Sequence, residues 1–266
     1  MKYAIVTGGA GGMGSAVVSL LSNSGYYVFS LDIKEGIEKE NIKNIICDIT
    51  DINSINEAFD IIKSVTTKID AILHFGGIYY LDSLVEIEEE RFEKIFKINV
   101  FGPYLINKTF LPLLQNNSRI IITTSELAGL DPLPFTGLYA VTKAALDKYS
   151  YSLRMELQLK DIKVSVIRPG AIKTKMLDAS QSELDKFCSN TKIYDISATN
   201  FKNVVESVEA KNLDPERIAK LSIKVLNKKK PKYCYYINRN KLLILLNILP
   251  RRMQFWIIKK ILNKKK

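Results

Sequence analysis

The sequence predicts an α/β fold: a single doubly wound parallel sheet with helices on both faces, followed by a C-terminal amphipathic helical tail. Strand-like and helix-period segments alternate along most of the 266 residues, and this alternation is typical of a parallel sheet covered by helices. The composition, 47% hydrophobic and 25% charged, is that of an ordinary globular chain. No linker or internal repeat divides the body. We therefore expect one domain at residues 1–238 and a tail at residues 239–266.

The predicted strands are short apolar runs, and the predicted helices have apolar residues at helical spacing. The strands are Tyr3–Thr7, Tyr27–Leu31, Asn44–Cys47, Ala71–Phe75, Arg119–Thr124, Lys163–Ile167 and Tyr233–Ile237. The helices are Ser15–Leu21, Ile52–Val65, Arg91–Leu114, Leu138–Leu159 and Asp214–Leu226. Residues 175–212 form a long excursion before the last body helix. Connections of that length commonly serve as lids or binding loops, so we expect a lid there.

The cysteines and the histidine limit the kinds of site that the chain can form. Cys47, Cys188 and Cys234 are odd in number and have no CxxC spacing, which argues against a disulfide framework or a zinc ribbon and favours a reducing compartment. His74 is the single histidine, so we expect no metal site. Residues 1–2 lead directly into the first strand without a visible secretory signal, and we expect a cytoplasmic protein.

A glycine-rich turn follows the first strand, with the sequence Thr7-Gly8-Gly9-Ala10-Gly11-Gly12-Met13-Gly14. Glycines permit a tight turn and a close backbone approach, and the helix that follows offers free N–H groups to a phosphate. The alternative is a plain turn, but the position between a strand and a helix favours a dinucleotide site.

Asp32 ends the second predicted strand. A carboxylate there can accept hydrogen bonds from a ribose and would repel a 2′-phosphate, which predicts NAD rather than NADP as the cofactor. The alternative for Asp32 is a helix cap or a solvated turn.

Tyr139 and Lys143 stand at positions i and i+4, on one helical face. A phenol with a pKa near 10 is a poor acid or base at neutral pH, and a neighbouring ammonium would bring its pKa toward the working range. Ser125 lies upstream, directly after a predicted strand, at the sheet edge where ligands of open α/β sheets bind. These three residues predict a proton-transfer site.

Together these motifs resemble the short-chain dehydrogenase/reductase family, of the common, non-extended type with a Rossmann-like fold, over about residues 2–238. The matching elements are Thr7-Gly8…Gly12-Met13-Gly14, Asp32, Asp48, Ile98-Asn99-Val100-Phe101-Gly102, Ser125, Tyr139…Lys143 and Pro169-Gly170…Thr174. The resemblance implies that Tyr139 is the general acid/base and that Lys143 tunes it and holds the nicotinamide ribose. It also implies that Ser125 binds the substrate oxygen and that Asn99 supports the proton relay.

The resemblance also implies the rest of the cofactor site. Asp48 and Ile49 would border the adenine, Gly76 would let the chain pass close to the adenosine, and the segment with Pro169, Ile172 and Thr174 would flank the nicotinamide. The chain has His74-Phe75-Gly76-Gly77 where the family usually has Asn-Asn-Ala-Gly, and we interpret His74 as structural. The glycine spacing also fits extended relatives, but the length and the Pro-Gly…Thr element disfavour a nucleotide-sugar epimerase.

The expected lid is rich in apolar residues: Met176, Leu177, Leu184, Phe187, Ile193, Tyr194, Phe201, Val204 and Val205. A long apolar lid would suit a sterol, retinoid or acyl-like substrate, although these residues could equally pack on the body or on another subunit. The sequence thus predicts an NAD-dependent oxidoreductase that interconverts a hydrophobic secondary alcohol and a ketone. The alternatives are a soluble dehydrogenase of a small polar or sugar alcohol, and a non-catalytic NAD-binding scaffold recruited to membranes.

Charge is distributed unevenly. Residues 1–216 carry 23 basic and 28 acidic residues, whereas residues 217–266 carry 16 basic residues and no acidic one. Leu242–Leu249 is far shorter than the roughly 20 apolar residues that span a bilayer. Near the C-terminus, a helical wheel of Arg251–Leu262 separates an apolar arc from a basic side that includes Trp256. The apolar arc consists of Met253, Phe255, Ile257, Ile258, Ile261 and Leu262.

This pattern predicts a helix on an anionic membrane surface, which would place the protein peripherally on the inner face of a membrane. The competing interpretation is a helix docked on its own body or on a second subunit, and we expect a homo-oligomer. Nucleic-acid binding is not expected, because no platform of stacking aromatics is evident.

Overall fold

In the computed structural model, which describes residues 1–207 and 212–264, seven strands form one sheet in the order β3-β2-β1-β4-β5-β6-β7. The strands are β1 Lys2–Thr7, β2 Tyr26–Asp32, β3 Ile42–Ile46, β4 Ile69–His74, β5 Leu114–Thr123, β6 Lys163–Pro169 and β7 Cys234–Ile237. Every neighbouring pair is parallel. The predicted doubly wound parallel sheet is therefore confirmed.

Ten α-helices accompany the sheet in the described residues. They are α1 Gly12–Asn23, α2 Ile52–Val65, α3 Glu89–Phe96, α4 Gly102–Phe110, α5 Gly137–Leu157, α6 Lys175–Asn190, α7 Asp195–Ser207, α8 Pro215–Leu226, α9 Lys241–Ile248 and α10 Arg251–Leu262. The strand order reverses between β1 and β4, where Thr7 pairs with His74. A crevice at the carboxyl ends of strands at such a switch point is where ligands of doubly wound sheets bind.

Side-chain alternation along the strands builds one core on each face of the sheet. On one face Ile5 packs in a buried cluster with Ile55 of α2 and Ile106 of α4. On the other face Val6 belongs to a cluster with Val17 of α1 and Ile218 of α8. Two helical layers thus hold the sheet rigid and fix the positions of its carboxyl ends.

The helix predicted over Arg91–Leu114 is not continuous, which corrects the sequence-based expectation. A π-helical turn at Lys97–Phe101 separates α3 from α4, and Leu114 is already the first residue of β5. A π-helical turn widens the helix locally and often marks a functional position. Here it carries the fully buried Asn99.

The expected lid is formed largely by two helices, α6 and α7, and its residues 208–211 lie outside the described part of the chain. Three of its predicted apolar residues, Leu184, Phe187 and Phe201, are buried together with Leu81 and Phe135. We call these five residues the lid cluster. Ile193, Val204 and Val205 are exposed instead, so the lid packs on the body through only part of its apolar set.

The tail, residues 239–266, is described to Lys264 and forms α9 and α10, so the helix predicted at Arg251–Leu262 is confirmed. Its predicted apolar arc does not stay together. Leu262 is buried against the lid cluster and Ile258 packs there too, while Met253, Phe255 and Ile261 of the same arc are exposed. The physical reason is that the lid cluster offers an apolar partner that one side of α10 can cover.

Candidate active site

The glycine-rich turn (Gly8–Gly14) lies at the carboxyl end of β1 and passes very close to the end of β4. Gly8 has a φ of +71°, and a β-carbon added there would lie 2.4 Å from the backbone nitrogen of Gly76. A β-carbon on Gly14 would lie 2.0 Å from the carbonyl oxygen of Gly8. Only glycine fits at these points, which leaves the backbone bare where a ligand would approach.

Helix α1 begins in this turn, and its N-cap residue Gly11 supplies no side-chain hydrogen bond to the first N–H groups. The first turn, with Gly12 and Met13, therefore presents backbone donors at the positive end of the helix dipole. A β-carbon on Gly12 would lie 2.7 Å from Cγ2 of Thr174, so the segment after β6 flanks the same turn. The arrangement fits the pyrophosphate of a dinucleotide.

Asp32, the last residue of β2, is held beside this turn. Its Oδ2 accepts the backbone N–H of Ala10 at 3.1 Å, and its Oδ1 accepts that of Lys34 at 3.2 Å. The predicted ribose-binding carboxylate and the predicted phosphate site are thus adjacent. A 2′-phosphate placed there would meet a negative charge.

The residues predicted to border the adenine follow β3. Asp48 Oδ1 accepts both the backbone N–H and the hydroxyl of Thr50, at 2.8 and 2.7 Å, which closes a tight turn. Cδ1 of Ile49 lies 3.2 Å from where a β-carbon of Gly76 would be, so these two residues line the crevice together.

Tyr139, Ser125 and Lys143 converge at the carboxyl edge of β5, all of them buried. Tyr139 and Lys143 lie on α5, and Lys143 Nζ is 5.6 Å from the centre of the Tyr139 ring. Ser125 caps the turn Glu126–Gly129 by accepting the backbone N–H of Leu127 at 3.2 Å, and it forms a hydrogen bond with Tyr139. The structure therefore brings the three predicted residues together.

Burial shifts the pKa values of Tyr139 and Lys143. Burial is the main cause that raises the pKa of Tyr139 above its usual 10; the neighbouring Tyr79 adds to this, and the hydrogen bond with Ser125 opposes it. Burial lowers the pKa of Lys143 to about 8, so the ammonium form still predominates at neutral pH. Desolvation of the buried phenolate is thus the largest influence on the pKa of this phenol, and the tuning role of Lys143 stays a prediction.

Asn99 acts on the segment that follows β4. Its Oδ1 accepts the backbone N–H of Ile78 at 2.9 Å, and its Nδ2 donates to the carbonyl of Ile78 at 3.0 Å and to Oγ1 of Thr142 at 3.1 Å. The Asn99 side chain is fully buried between α5 and the segment that follows β4, which we call the β4 loop. Asn99 therefore fixes the wall of the site rather than facing solvent.

The segment predicted to flank the nicotinamide leaves β6 at Pro169. Ile172 is buried and forms an isolated bridge with Leu213. Thr174 is the N-cap residue of α6 and lies against Gly12, as described above. The segment thus closes the crevice opposite the β4 loop.

Sequence reasoning missed Tyr79. Its ring centre lies 4.8 Å from that of Tyr139, and its side chain packs both with the lid cluster and with Tyr139. Burial raises the pKa of Tyr79 to about 12, with Glu183 adding to the effect. The only sequence signal was its position two residues after Gly77.

An ion pair behind the catalytic helix was also missed. Arg168 donates to the carboxylate of Asp147 through Nε at 2.9 Å and through Nη2 at 2.6 Å. Thr124, next to Ser125, donates its hydroxyl to the same carboxylate at 3.3 Å. The spacing from Lys143 to Asp147, one helical turn, was the signal that could have found it.

His74 is buried at the end of β4, with Nε2 2.9 Å from Oδ1 of Asn107 and Nδ1 3.5 Å from Oγ1 of Thr7. Burial lowers its pKa to about 4, so the ring is neutral at physiological pH. These contacts tie β4 to β1 and α4, which supports the structural interpretation. Among the described residues, no cluster of three or more His, Cys, Asp or Glu side chains could bind a metal ion.

Comparison with known proteins places this geometry in a family. The family model described as short chain dehydrogenase matches residues 2–185, which include the glycine-rich turn, Asn99, Ser125, Tyr139 and Lys143. The chain belongs to the short-chain dehydrogenase/reductase family. Its members are oxidoreductases that act on CH–OH groups, and this chain is an enzyme of that class.

Individual relatives match over nearly the whole chain. A probable short-chain type dehydrogenase/reductase, VdlC of Helicobacter pylori, is 28% identical over 93% of each chain. A 3-ketodihydrosphingosine reductase of Bacteroides thetaiotaomicron is 24% identical over 95% of this chain and 92% of its own length. A crystal structure of a short chain dehydrogenase family protein from Francisella tularensis superposes with a TM-score of 0.74 at 27% identity, covering 89% of this chain and 97% of that one.

Proposed function

We propose that this short-chain dehydrogenase/reductase is NAD-dependent and interconverts a hydrophobic secondary alcohol and its ketone. The observation that carries the proposal is the convergence of Tyr139, Ser125 and Lys143 at the same sheet edge as the bare backbone of the glycine-rich turn. A nicotinamide supplies or accepts the hydride when it is bound. The residues that would hold the dinucleotide are those of the turn, Asp32 and the segment that ends at Thr174.

The side chains of this enzyme move the proton and orient the substrate. In the reductive direction Tyr139 gives its phenolic proton to the substrate oxygen, and in the oxidative direction it takes the proton back. Ser125 hydrogen-bonds the same oxygen. The Lys143 ammonium stabilises the phenolate left on Tyr139, and this matters because burial alone disfavours that anion. Asn99 keeps the wall of the site in place through its bonds to Ile78.

The preference for NAD rests on Asp32. We expect NADH to bind at least about tenfold tighter than NADPH, because a 2′-phosphate would face the carboxylate. Isothermal titration of the protein with each cofactor measures this preference. The variant Asp32→Ser should narrow the gap mainly by improving NADPH binding, while Asp60→Ser, at an exposed position of α2, serves as the matched control. Equal affinities in the unmodified protein would refute the cofactor assignment.

The hydrophobic substrate is supported by Tyr79, whose aromatic side chain packs both against Tyr139 and against the apolar lid cluster. The sphingolipid reductase relative is named for a long-chain ketone, which is consistent with this substrate class. The alternative is a small polar or sugar alcohol. Steady-state kinetics on methyl ketones of increasing chain length decide between them. We expect kcat/KM to rise with chain length, and a maximum at the smallest or at a hydroxylated ketone would favour the alternative.

The remaining alternative is a non-catalytic scaffold, which the intact set of Asn99, Ser125, Tyr139 and Lys143 disfavours, since cofactor binding alone does not need all four. We further propose that the enzyme works in the cytoplasm, at the inner face of a membrane where hydrophobic substrates accumulate. The tail is the part of the molecule on which that location depends.

A further inference from the structure

The tail has one side that its own body does not cover. In α9, Leu242, Leu245 and Ile248 follow each other at intervals of three residues and are 59–73% exposed. Residues three apart lie on one side of a helix. This short helix therefore presents an almost purely apolar outer side.

Helix α10 also exposes apolar side chains, together with basic ones. Met253, Phe255 and Trp256 are about half or more exposed. The exposed Lys260 lies over the Trp256 ring, with Nζ 4.8 Å from its centre. The opposite side of the same helix, with Gln254, Ile258 and Leu262, packs on the body. We call the exposed set Leu242, Leu245, Ile248, Met253, Phe255 and Trp256 the outer surface of the tail.

The charge around this outer surface is entirely positive within the tail, which contains nine basic residues and no acidic one. The acidic groups of the body that face the tail are already engaged. Glu126 accepts the backbone N–H of Asn240 at 2.7 Å, and Asp131 interacts with Arg251 and Gln254 at 3.4 Å. Arg251 is thus paired, but Arg252, Lys259 and Lys260 of the same helix make no ion pair with the described residues. The surface therefore combines exposed apolar side chains with unpaired positive charge.

An anionic lipid surface matches this combination. Apolar side chains enter the boundary between headgroups and acyl chains, lysines and arginines meet the lipid phosphates, and tryptophan prefers that boundary. No helix in residues 1–207 and 212–264 is both long and apolar enough to cross a bilayer. A surface-bound orientation is the one that two short helices of this kind can adopt.

We propose that the outer surface of the tail docks the enzyme on an anionic membrane. This inference rests on the proposed function. Docking would bring the active site to the bilayer, because the tail is anchored at the same edge of the sheet. The N-cap residue of α9, Asn240, donates its backbone N–H to Glu126, next to Ser125, and α10 packs on the lid cluster through Leu262. A hydrophobic ketone could then reach the site without crossing water.

Trp256, the one tryptophan of the sequence, lies in this surface and reports on docking directly. Fluorescence of the full chain is measured at low salt, without cofactor or substrate, with vesicles of phosphatidylcholine alone or mixed with phosphatidylglycerol. We expect a blue shift and co-sedimentation with the mixed vesicles, weaker binding to the neutral ones, and loss of binding as salt rises. No shift and no co-sedimentation with either vesicle would overturn the proposal.

Two variants test whether vesicle binding depends on the outer surface of the tail. The double variant Leu245→Ser/Ile248→Ser should weaken partitioning of the protein onto the mixed vesicles at least about tenfold. It removes two apolar side chains that would be buried at the lipid boundary in the docked state. Val65→Ser, which changes an exposed apolar residue of α2, is the control and should bind as the unmodified protein does. Equal binding of both variants would overturn the assignment of the surface.

A subunit contact is the other outcome of the same experiment. If the tail pairs with a second copy, the Leu245/Ile248 variant would lower the oligomeric state in light scattering while the vesicles have no effect, and the membrane proposal would be wrong. NADH titration is measured in parallel. A protein that binds vesicles but neither binds NADH nor reduces ketones would support the docking surface and refute only the proposed function.

Discussion

Tyr139 is the side chain on which the proposed chemistry depends, since its phenol is buried beside Ser125 and Lys143. We expect Tyr139→Phe to lower kcat by at least about a hundredfold, because the proton donor is lost while the ring and its packing remain. The Kd of NADH should stay within about twofold. Stopped-flow reduction and titration measure the two effects, and Tyr151→Phe, at an exposed position of the same helix, is the control. A variant that retains most of its kcat would remove Tyr139 from the acid/base role.

His74 makes a second prediction at the residue scale. Its pKa is about 4 in the folded protein and near 6.5 when unfolded, so between these values the unfolded chain binds a proton that the folded chain does not. The free energy of unfolding should therefore be unaffected by this group above pH 6.5 and fall by about 3 kcal/mol as the pH drops to 4.

Urea unfolding at several pH values measures this dependence. His74→Asn keeps hydrogen-bonding groups but does not titrate, so its stability should fall less steeply over the same range, whatever its constant offset. Parallel curves for the two proteins would show that His74 does not contribute. The comparison is needed because carboxylates also titrate at the acid end of this window.

At the scale of single elements, the parallel sheet was predictable because each strand is a short apolar run between turns. The interruption of the third predicted helix was not. The residues from Arg91 to Leu113 keep a helical apolar spacing, and nothing in that spacing signals a π-helical turn. The turn forms because the buried Asn99 amide bonds the backbone of Ile78, a long-range contact that local propensity does not encode.

The same limit applies to the site and to the tail. Motif spacing could predict which residues come together at the carboxyl edge of the sheet, because the order of strands and loops positions them. It could not predict Tyr79, whose role depends on packing between the lid cluster and Tyr139. Nor could the wheel of α10 predict which apolar residues are covered, because the cover is supplied by another helix, α7, which carries Phe201.

The ion pair between Asp147 of α5 and Arg168 of β6 joins the catalytic helix to the strand that leads to Pro169. Both side chains are mostly buried, so removing one partner leaves an uncompensated charge. We expect Arg168→Met or Asp147→Asn alone to destabilise the protein by about 3 kcal/mol, and the double variant to lose less than the two single losses combined. Chemical denaturation measures all three. Simple additivity would show that the pair does not act as a unit.

At the scale of the whole molecule, a second exposed apolar area lies on the helices next to the active site. It consists of Phe101, Tyr104, Val141, Tyr151 and Met155 of the π-helical turn, α4 and α5, all 39–58% exposed. Contiguous apolar area on a helical face commonly marks a contact between subunits. We expect a homo-oligomer through this face.

Light scattering during size-exclusion chromatography measures the oligomeric state. Val141→Glu should shift the protein toward monomers, since a charge would be buried in the contact. The control Leu159→Glu changes a more exposed apolar residue just beyond the end of α5. If this variant also shifts the protein toward monomers, the subunit contact lies at that end of the helix instead. A protein that is monomeric at every concentration would refute the expectation.

The glycine-rich turn also constrains how this sequence can vary. At Gly8 an added β-carbon would meet only backbone atoms of Phe75 and Gly76, so no second substitution can make room for it. At Gly12 the nearest atoms are Cγ2 and Cβ of Thr174, at 2.7 and 2.9 Å, and glycine at position 174 would remove both. Replacement of Gly12 is therefore open to rescue by a change at position 174, whereas replacement of Gly8 has no suppressor and would require a different loop.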